Sequence, residues 1–346
     1  MKNIKLSIIV PVYNAEKYLP VFFKSLKNQT YQDFFVCFVD DCSEDGSIKY
    51  IKDNEFIFNG RIKLIQSDKN EGPGLARNRA LNEDLPGEYI IFLDVDDYFE
   101  NDYFEKMINV AETNNVDLVI CGLDRIEQDG NILCQEMIRN PEGKISDISN
   151  CEIFAYMIPV LWNKLFRKSC LSGTRFQDAA RSEDTVYIME NLPKIKSVQF
   201  INQVLYHYVI RNSTMTASLN EQMYDSMLRA FCYVAKLYSK DNRYKPYYEI
   251  LETQAFIRCA VGGTYRLAFN NIKLARYYEQ KARIYFDNYF PNWRKNSYLS
   301  FKNIINRGIK KNAICFCALL YKMHLFVVFI YAYWIVKNIF NRDVRF

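Results

Sequence analysis

The sequence predicts an α/β protein: a mostly parallel sheet flanked by helices, followed by a mostly helical C-terminal region. Three observations carry that expectation. Between residues 5 and 121, short apolar runs alternate with segments whose apolar residues recur three and four positions apart. The runs are continuous, which suits strands buried on both faces of a parallel sheet. Acidic and aromatic residues gather directly behind the runs, at the strand ends where open parallel sheets take ligands.

In order, "KLSIIVPVY" (5–13) reads as the first strand. Asn14 is placed to cap the following helix, in which Leu19, Phe22, Phe23 and Leu26 share one face. "FFVCFVDD" (34–41) is the second strand, "DGSIKYIKDNE" (45–55) a helix and "RIKLIQS" (61–67) the third strand. "GPGLARNRALNE" (72–83) is a helix opened by glycines, and "YIIFLDVDD" (89–97) is the fourth strand. "NDYFEKMINVAETN" (101–114) is a helix and "VDLVICG" (116–122) the fifth strand. Residues 125–215 lose this regularity, apart from the strand-like "VQFINQVLYHYVI" (198–210). Residues 219–290 are helical in composition, and 313–336 form the most hydrophobic part of the chain.

Composition narrows the functional classes. A chain of 346 residues with 12 Gly, 9 Pro and no repetitive window is an ordered globular protein with ample core. Its ten cysteines show no C-x-x-C spacing, and only two histidines are present, His207 and His324, so a classical zinc site is not expected. Free cysteines of this kind suit a reducing compartment. Lysines and a short apolar run open the chain, but Pro11 and Asn14 end that run too early for a signal peptide. The net charge of +5 is uneven: residues 292–346 hold ten Lys/Arg against one acid, Asp343, and everything before them sums to −4. An anionic membrane surface is the partner expected there, and nucleic acid is not expected as a partner.

Chemistry concentrates in "YIIFLDVDDYF" (89–99), where Asp94, Asp96 and Asp97 follow a buried strand. Carboxylates this close repel, and in a poorly solvated site one must take a proton unless a cation intervenes. Neither a G-x-G-x-x-G nor a P-loop is present to cradle phosphate. Mn²⁺ or Mg²⁺ held by an Asp-x-Asp turn, with diphosphate oxygens and water completing its shell, is the alternative way to hold it.

Five motifs then stand in register: "SIIVPVYNAEKYL" (7–19), "FVDDCSEDGS" (38–47), "NEGPGLARNRAL" (70–81), "FLDVDDYF" (92–99) and "ED" (183–184). In these the chain, over roughly residues 4–215, resembles the family 2 glycosyltransferases with the GT-A fold, of the bacterial polysaccharide type. The resemblance implies that Pro11 and Tyr13 line the nucleotide pocket, that Asp41 accepts a bond from the base ring, and that Asp40 orients the loop. It implies that Arg77 approaches the nucleotide or its phosphates, that Asp94 faces ribose or metal, and that Asp96 ligates the metal with Asp97 in support. Glu183 and Asp184 stand at a helix start, where a bare acidic pair would also be favoured by the helix dipole. The resemblance makes Asp184 the catalytic base. "VLWNKLFRKS" (160–169) resembles the family's acceptor segment, with Trp162 and Lys164 as cleft residues. "YHYVIRNSTMT" (206–216) resembles a segment whose His207, Arg211 and Ser213 reach the diphosphate.

The expected organisation is a catalytic domain at 1–217, with a nucleotide-binding half (1–122) and an acceptor half (123–217), then a helical region at 218–291 and a membrane-associating segment at 292–346. The 313–336 run is long enough to span a bilayer, but Lys322 and His324 interrupt it and basic residues flank both ends, which fits an interfacial or re-entrant helical pair better. The expected activity is inverting transfer of a sugar, hexosyl or N-acetylhexosaminyl, from a UDP-linked donor to a hydroxyl of a glycan or lipid-linked glycan. The expected location is the cytoplasmic face of the cell membrane. The rival reading is a membrane-docked module that binds a nucleotide sugar and transfers nothing.

Overall fold

A computed structural model describes residues 4–127, 130–136, 143–177, 182–211, 219–300 and 308–340. The chain divides into two compact units, one formed by 1–148, 159–178 and 183–214, the other by 149–158, 179–182 and 215–346. The division expected at 217/218 falls within 212–218, outside the described residues, as does Ser213.

The first unit is a sheet wrapped by helices. Its elements are β1 (Leu6–Val12), α1 (Leu19–Lys27), β2 (Phe34–Asp40), α2 (Ser47–Asn54), β3 (Ile62–Gln66), α3 (Pro73–Leu81), β4 (Tyr89–Phe92), β5 (Tyr98–Phe99), α4 (Tyr103–Thr113), β6 (Leu118–Ile126), β7 (Ile132–Glu136), β8 (Lys164–Arg167), α6 (Glu183–Asn191) and β9 (Val198–Val209). The helix α5 (Ile153–Tyr156) lies in the second unit. The strand order is β3-β2-β1-β4-β8-β6-β9-β5, with β7 on β6. β1 pairs in parallel with β2 and β4, and β2 with β3, as continuous apolar strands predict. All four residues of β4 are buried, and Leu19, Phe22, Phe23 and Leu26 of α1 sink onto the sheet. Burying each such side chain stabilises the fold by roughly 1.5–3 kcal/mol.

One detail departs from the sequence reading, and a second adds to it. Asn14 does not cap α1: its backbone is left-handed (φ 47°) and its side chain accepts from Glu44 N at 2.9 Å, while the helix begins at Leu19, behind Tyr18. β6 does not lie beside β4, because the short strand β8 runs antiparallel between them, pairing Leu165 with both Ile91 and Val119. Four residues reading Lys-Leu-Phe-Arg are too few to show a period, so this strand is invisible until both neighbours exist.

The second unit is helical: α7 (Glu221–Lys240), α8 (Tyr248–Ala255), a π-helical stretch (Phe256–Gly263), α9 (Thr264–Asn270), α10 (Ala275–Tyr289), α11 (Gly308–Lys322) and α12 (Phe326–Phe340). Its core includes Tyr224, Phe231, Phe256, Phe286 and Trp293. α5 is fastened here by Gln254, whose Nε2 donates to Phe154 O (2.9 Å) and Met157 O (3.0 Å). The hydrophobic run of 313–336 is two helices, broken at Met323–Leu325 where His324 takes φ 60°. Among the described residues no helix is long and apolar enough to cross a membrane.

Candidate active site

The carboxyl ends of β1, β2 and β4 bring the expected residues to one edge of the sheet. β1 delivers partly buried Pro11 and then Tyr13, 49% exposed and open to a planar ligand. Asp40 ends β2 and Asp41 follows it, both buried. Asp40 Oδ2 accepts from Ser43 N (3.1 Å) and so holds its own loop. The carboxylate of Asp41 accepts from Glu71 N (3.1 Å) and Gly72 N (2.7 Å). Gly72 sits at φ +91°, a conformation glycine adopts without strain, and this turn delivers Pro73 as the first residue of α3. Asp41 thus ties the end of β2 to the helix that carries Arg77.

Arg77 is the hub. It is 3% exposed, yet its Nη2 donates to Asp94 Oδ1 at 2.7 Å and its Nη1 to Asp184 Oδ1 at 3.1 Å. Burial works against its charge, and Asp184, Asp94 and Glu183 more than offset this. The guanidinium lies 5.6 Å from the Phe176 ring centroid. α3 comes this close to α6 because residue 74 is glycine: a Cβ there would stand 3.3 Å from Phe176 Cβ and 3.4 Å from Glu183 Cγ.

Asp184, at the first turn of α6, is pushed up to about 7, chiefly by burial, and further by Glu183 and Asp94, while Arg77 and Lys164 pull it down. A carboxyl poised near neutrality, with 22% of its side chain exposed, can take a proton from a hydroxyl at physiological pH. Glu183 beside it is partly buried and supplies the like charge that helps raise it.

Asp96 faces a different cation: Arg211 Nη1 donates to its Oδ2 at 2.9 Å, and that guanidinium lies 4.7 Å from the Tyr18 ring centroid. Burial and the neighbouring Asp94 raise the Asp96 carboxyl, with Arg211 and Lys17 opposing. Asp97 turns inward instead. It is fully buried, accepts from Val209 N (2.9 Å) and Tyr206 OH (3.0 Å), and is raised well above the usual carboxylate range by burial and by Asp96 and Asp94. Its place is to brace the turn, so it is not set as a metal ligand.

No group of three or more His, Cys, Asp or Glu converges as a metal cage among the described residues. The donors present fit a divalent ion held more sparsely. Asp94 and Asp96 are 29% and 34% exposed, each has only one carboxylate oxygen hydrogen-bonded among the described residues, and their mutual repulsion is what a cation relieves.

Three further residues are placed otherwise than expected. Trp162 is 5% exposed and stacked on Tyr206 (4.3 Å between centroids) and Tyr208 (5.6 Å), so it is core and not cleft lining. Lys164 is fully buried, donating from Nζ to Val160 O (2.7 Å) and Asn163 Oδ1 (2.8 Å); its charge reaches Asp184 but its ammonium does not face an acceptor. His207 has both ring nitrogens on carboxylates, Nδ1 at 2.8 Å from Asp124 and Nε2 at 3.1 Å from Glu100, and stacks on Tyr98, which leaves neither nitrogen for a diphosphate. Sequence reasoning missed Tyr206, Phe176 and Lys17, which act through Asp97, Arg77 and Asp96; no local pattern marks such partners.

Residues 7–177 match the family described as Glycosyl transferase family 2. A Bacillus subtilis protein named as glycosyltransferase EpsH is 28% identical over 73% of this chain and 74% of its own length. An uncharacterized glycosyltransferase of Haemophilus influenzae is 44% identical over 32% of this chain and 44% of its own. The crystal structure of S. aureus TarS 1–349 in complex with UDP-GlcNAc covers 99% of this chain and 93% of that one at a TM-score of 0.72 and 18% identity, which shows a shared fold. The architecture is therefore the GT-A arrangement that the motifs imply.

Proposed function

We propose that the chain, whose residues 7–177 match glycosyl transferase family 2, is an inverting glycosyltransferase that moves a sugar from a UDP-linked donor to a hydroxyl of a glycan or lipid-linked glycan in polysaccharide assembly. The observation that carries this reading is the single guanidinium of Arg77 between Asp94, on the donor side, and Asp184, the base. The UDP-GlcNAc held by S. aureus TarS supports a UDP-linked donor. Similarity to a poly(ribitol-phosphate) beta-glucosyltransferase of Bacillus spizizenii, 28% identical over 60% of this chain and 32% of its own length, supports a polymeric acceptor.

The chemistry follows from the residues. Tyr13, Pro11 and Asp41 receive the nucleotide. Asp94 and Asp96 would hold Mn²⁺ or Mg²⁺, which when bound offsets the charge that develops on the departing diphosphate. Asp184 takes the proton of the acceptor hydroxyl as its oxygen bonds to the anomeric carbon, and the bond from that carbon to the diphosphate breaks on the opposite face. Arg77 and Lys164 pull the carboxyl of Asp184 down and favour its charged form before the proton arrives. One base is enough for inversion. A retained configuration would need a second nucleophile beside the sugar.

The test is Mn²⁺-dependent turnover of nucleotide sugars by the full chain, read as UDP release with and without candidate acceptors. UDP release that needs both Mn²⁺ and Asp184 supports transfer. Tight UDP-sugar binding with no release under any condition would favour the rival, a binding module without catalysis.

A further inference from the structure

The hairpin of α11 and α12 is fixed to the helical unit by one face only. Cys315, Ala318 and Tyr321 of α11 and Phe326 and Ile330 of α12 are buried. Tyr321 stacks on Phe326 (4.4 Å between centroids), its hydroxyl donates to Thr264 Oγ1 or Ala260 O, and its carbonyl accepts from Arg283 Nη1 at 2.8 Å. The opposite faces are apolar and exposed. On α11, Phe316 (44%) and Leu319 (37%) are three residues apart, and Met323 (54%) follows four residues on in the break; on α12, Val328 (61%), Tyr331 (39%) and Ile335 (48%) repeat the same spacing. Two such stripes on adjoining helices make a larger continuous apolar surface than scattered single residues do.

We propose that this hairpin is an interfacial anchor for an anionic lipid bilayer, its outer stripes sunk at the boundary of headgroups and acyl chains. Each helix has 15 residues, about 22 Å at 1.5 Å per residue, against the ~30 Å of a bilayer's hydrocarbon. Lying in the interface satisfies the apolar faces without a span. Charge selects the occupant. Residues 292–346 hold ten Lys/Arg and one acid, with Lys310 at the start of α11, Lys337 near the end of α12, and Arg342 and Arg345 after it in the sequence, while Lys311 is paired with Glu152 at 2.7 Å. A second copy would bring the same excess of positive charge against itself, whereas anionic headgroups complement it. The inference stands on the helical unit alone and does not depend on the transfer reaction.

Flotation of the full-length chain with vesicles tests it, comparing phosphatidylcholine alone with phosphatidylcholine containing phosphatidylglycerol. Binding at least about tenfold tighter to the anionic vesicles, weakened by added salt, is expected. The double variant Leu319→Glu/Val328→Glu should lose that binding at least about tenfold while keeping the urea midpoint and UDP affinity of the parent. Equal vesicle binding by the variant would overturn the anchor. So would concentration-dependent oligomers of the parent that bind no vesicle and dissociate in the variant, which would make the face a contact between copies. A cysteine placed after Phe340 and labelled by an impermeant reagent from outside intact cells would mean a span, and would also overturn it.

Discussion

Arg77 lies 3.1 Å from Asp184 through one guanidinium nitrogen while the other nitrogen holds Asp94 at 2.7 Å. Two carboxylates from distant elements therefore share one buried cation. Any ligand that draws Asp94 away leaves Arg77 to Asp184 alone. The carboxyl proposed as the base is tuned by the same residue that holds Asp94.

The rate of transfer should rise with pH and level off, with a midpoint near about 7. Asp184 acts as a base only when deprotonated, so below the midpoint the rate falls about tenfold per pH unit. Initial rates at saturating donor from about pH 5 to about pH 9 measure this, and a flat profile would contradict the assignment. Asp184→Asn should lower kcat by roughly a hundredfold or more with donor affinity unchanged.

Arg77→Met removes a charge that lowers Asp184. The midpoint of the pH profile should move up by about one unit or more, the usual scale for losing an adjacent arginine. Arg77→Lys should recover part of the shift. A variant that is merely less stable would lose amplitude without moving the midpoint.

Asp96→Asn keeps size and removes charge from the more exposed of the two carboxylates proposed to hold the metal. Titration calorimetry of UDP should show affinity reduced roughly tenfold or more in Mn²⁺ and little changed in EDTA. Undiminished Mn²⁺-dependent affinity would falsify the metal assignment.

Asp97→Ala should cost about 2–3 kcal/mol of unfolding free energy, because Tyr206 OH and Val209 N lose their buried acceptor. Asp97→Asn, which keeps an acceptor oxygen, should cost less than about 1 kcal/mol. Urea unfolding separates the two, and neither variant should abolish Mn²⁺ binding outright.

Much of the first unit was determined by the sequence itself. Continuous apolar runs such as 89–93 can be buried only on both faces, so they name their own strands, and an Asp-x-Asp behind one of them names a strand-end site. Asp40, Asp41, Asp94, Asp96 and Asp184 were legible because their chemistry is local: a carboxylate on a turn or at a helix start. The tertiary structure alone decided what each faces. Arg77 and Asp184 are 107 residues apart in the chain, and only the approach of α3 to α6 across Gly74 makes them a pair. Trp162, Lys164 and His207 have the residue types of a binding cleft, yet packing buries the first two and two carboxylates take the third. Residue type and spacing set which interactions a side chain can make, whereas burial and the partners brought in from distant elements set which of them it does make.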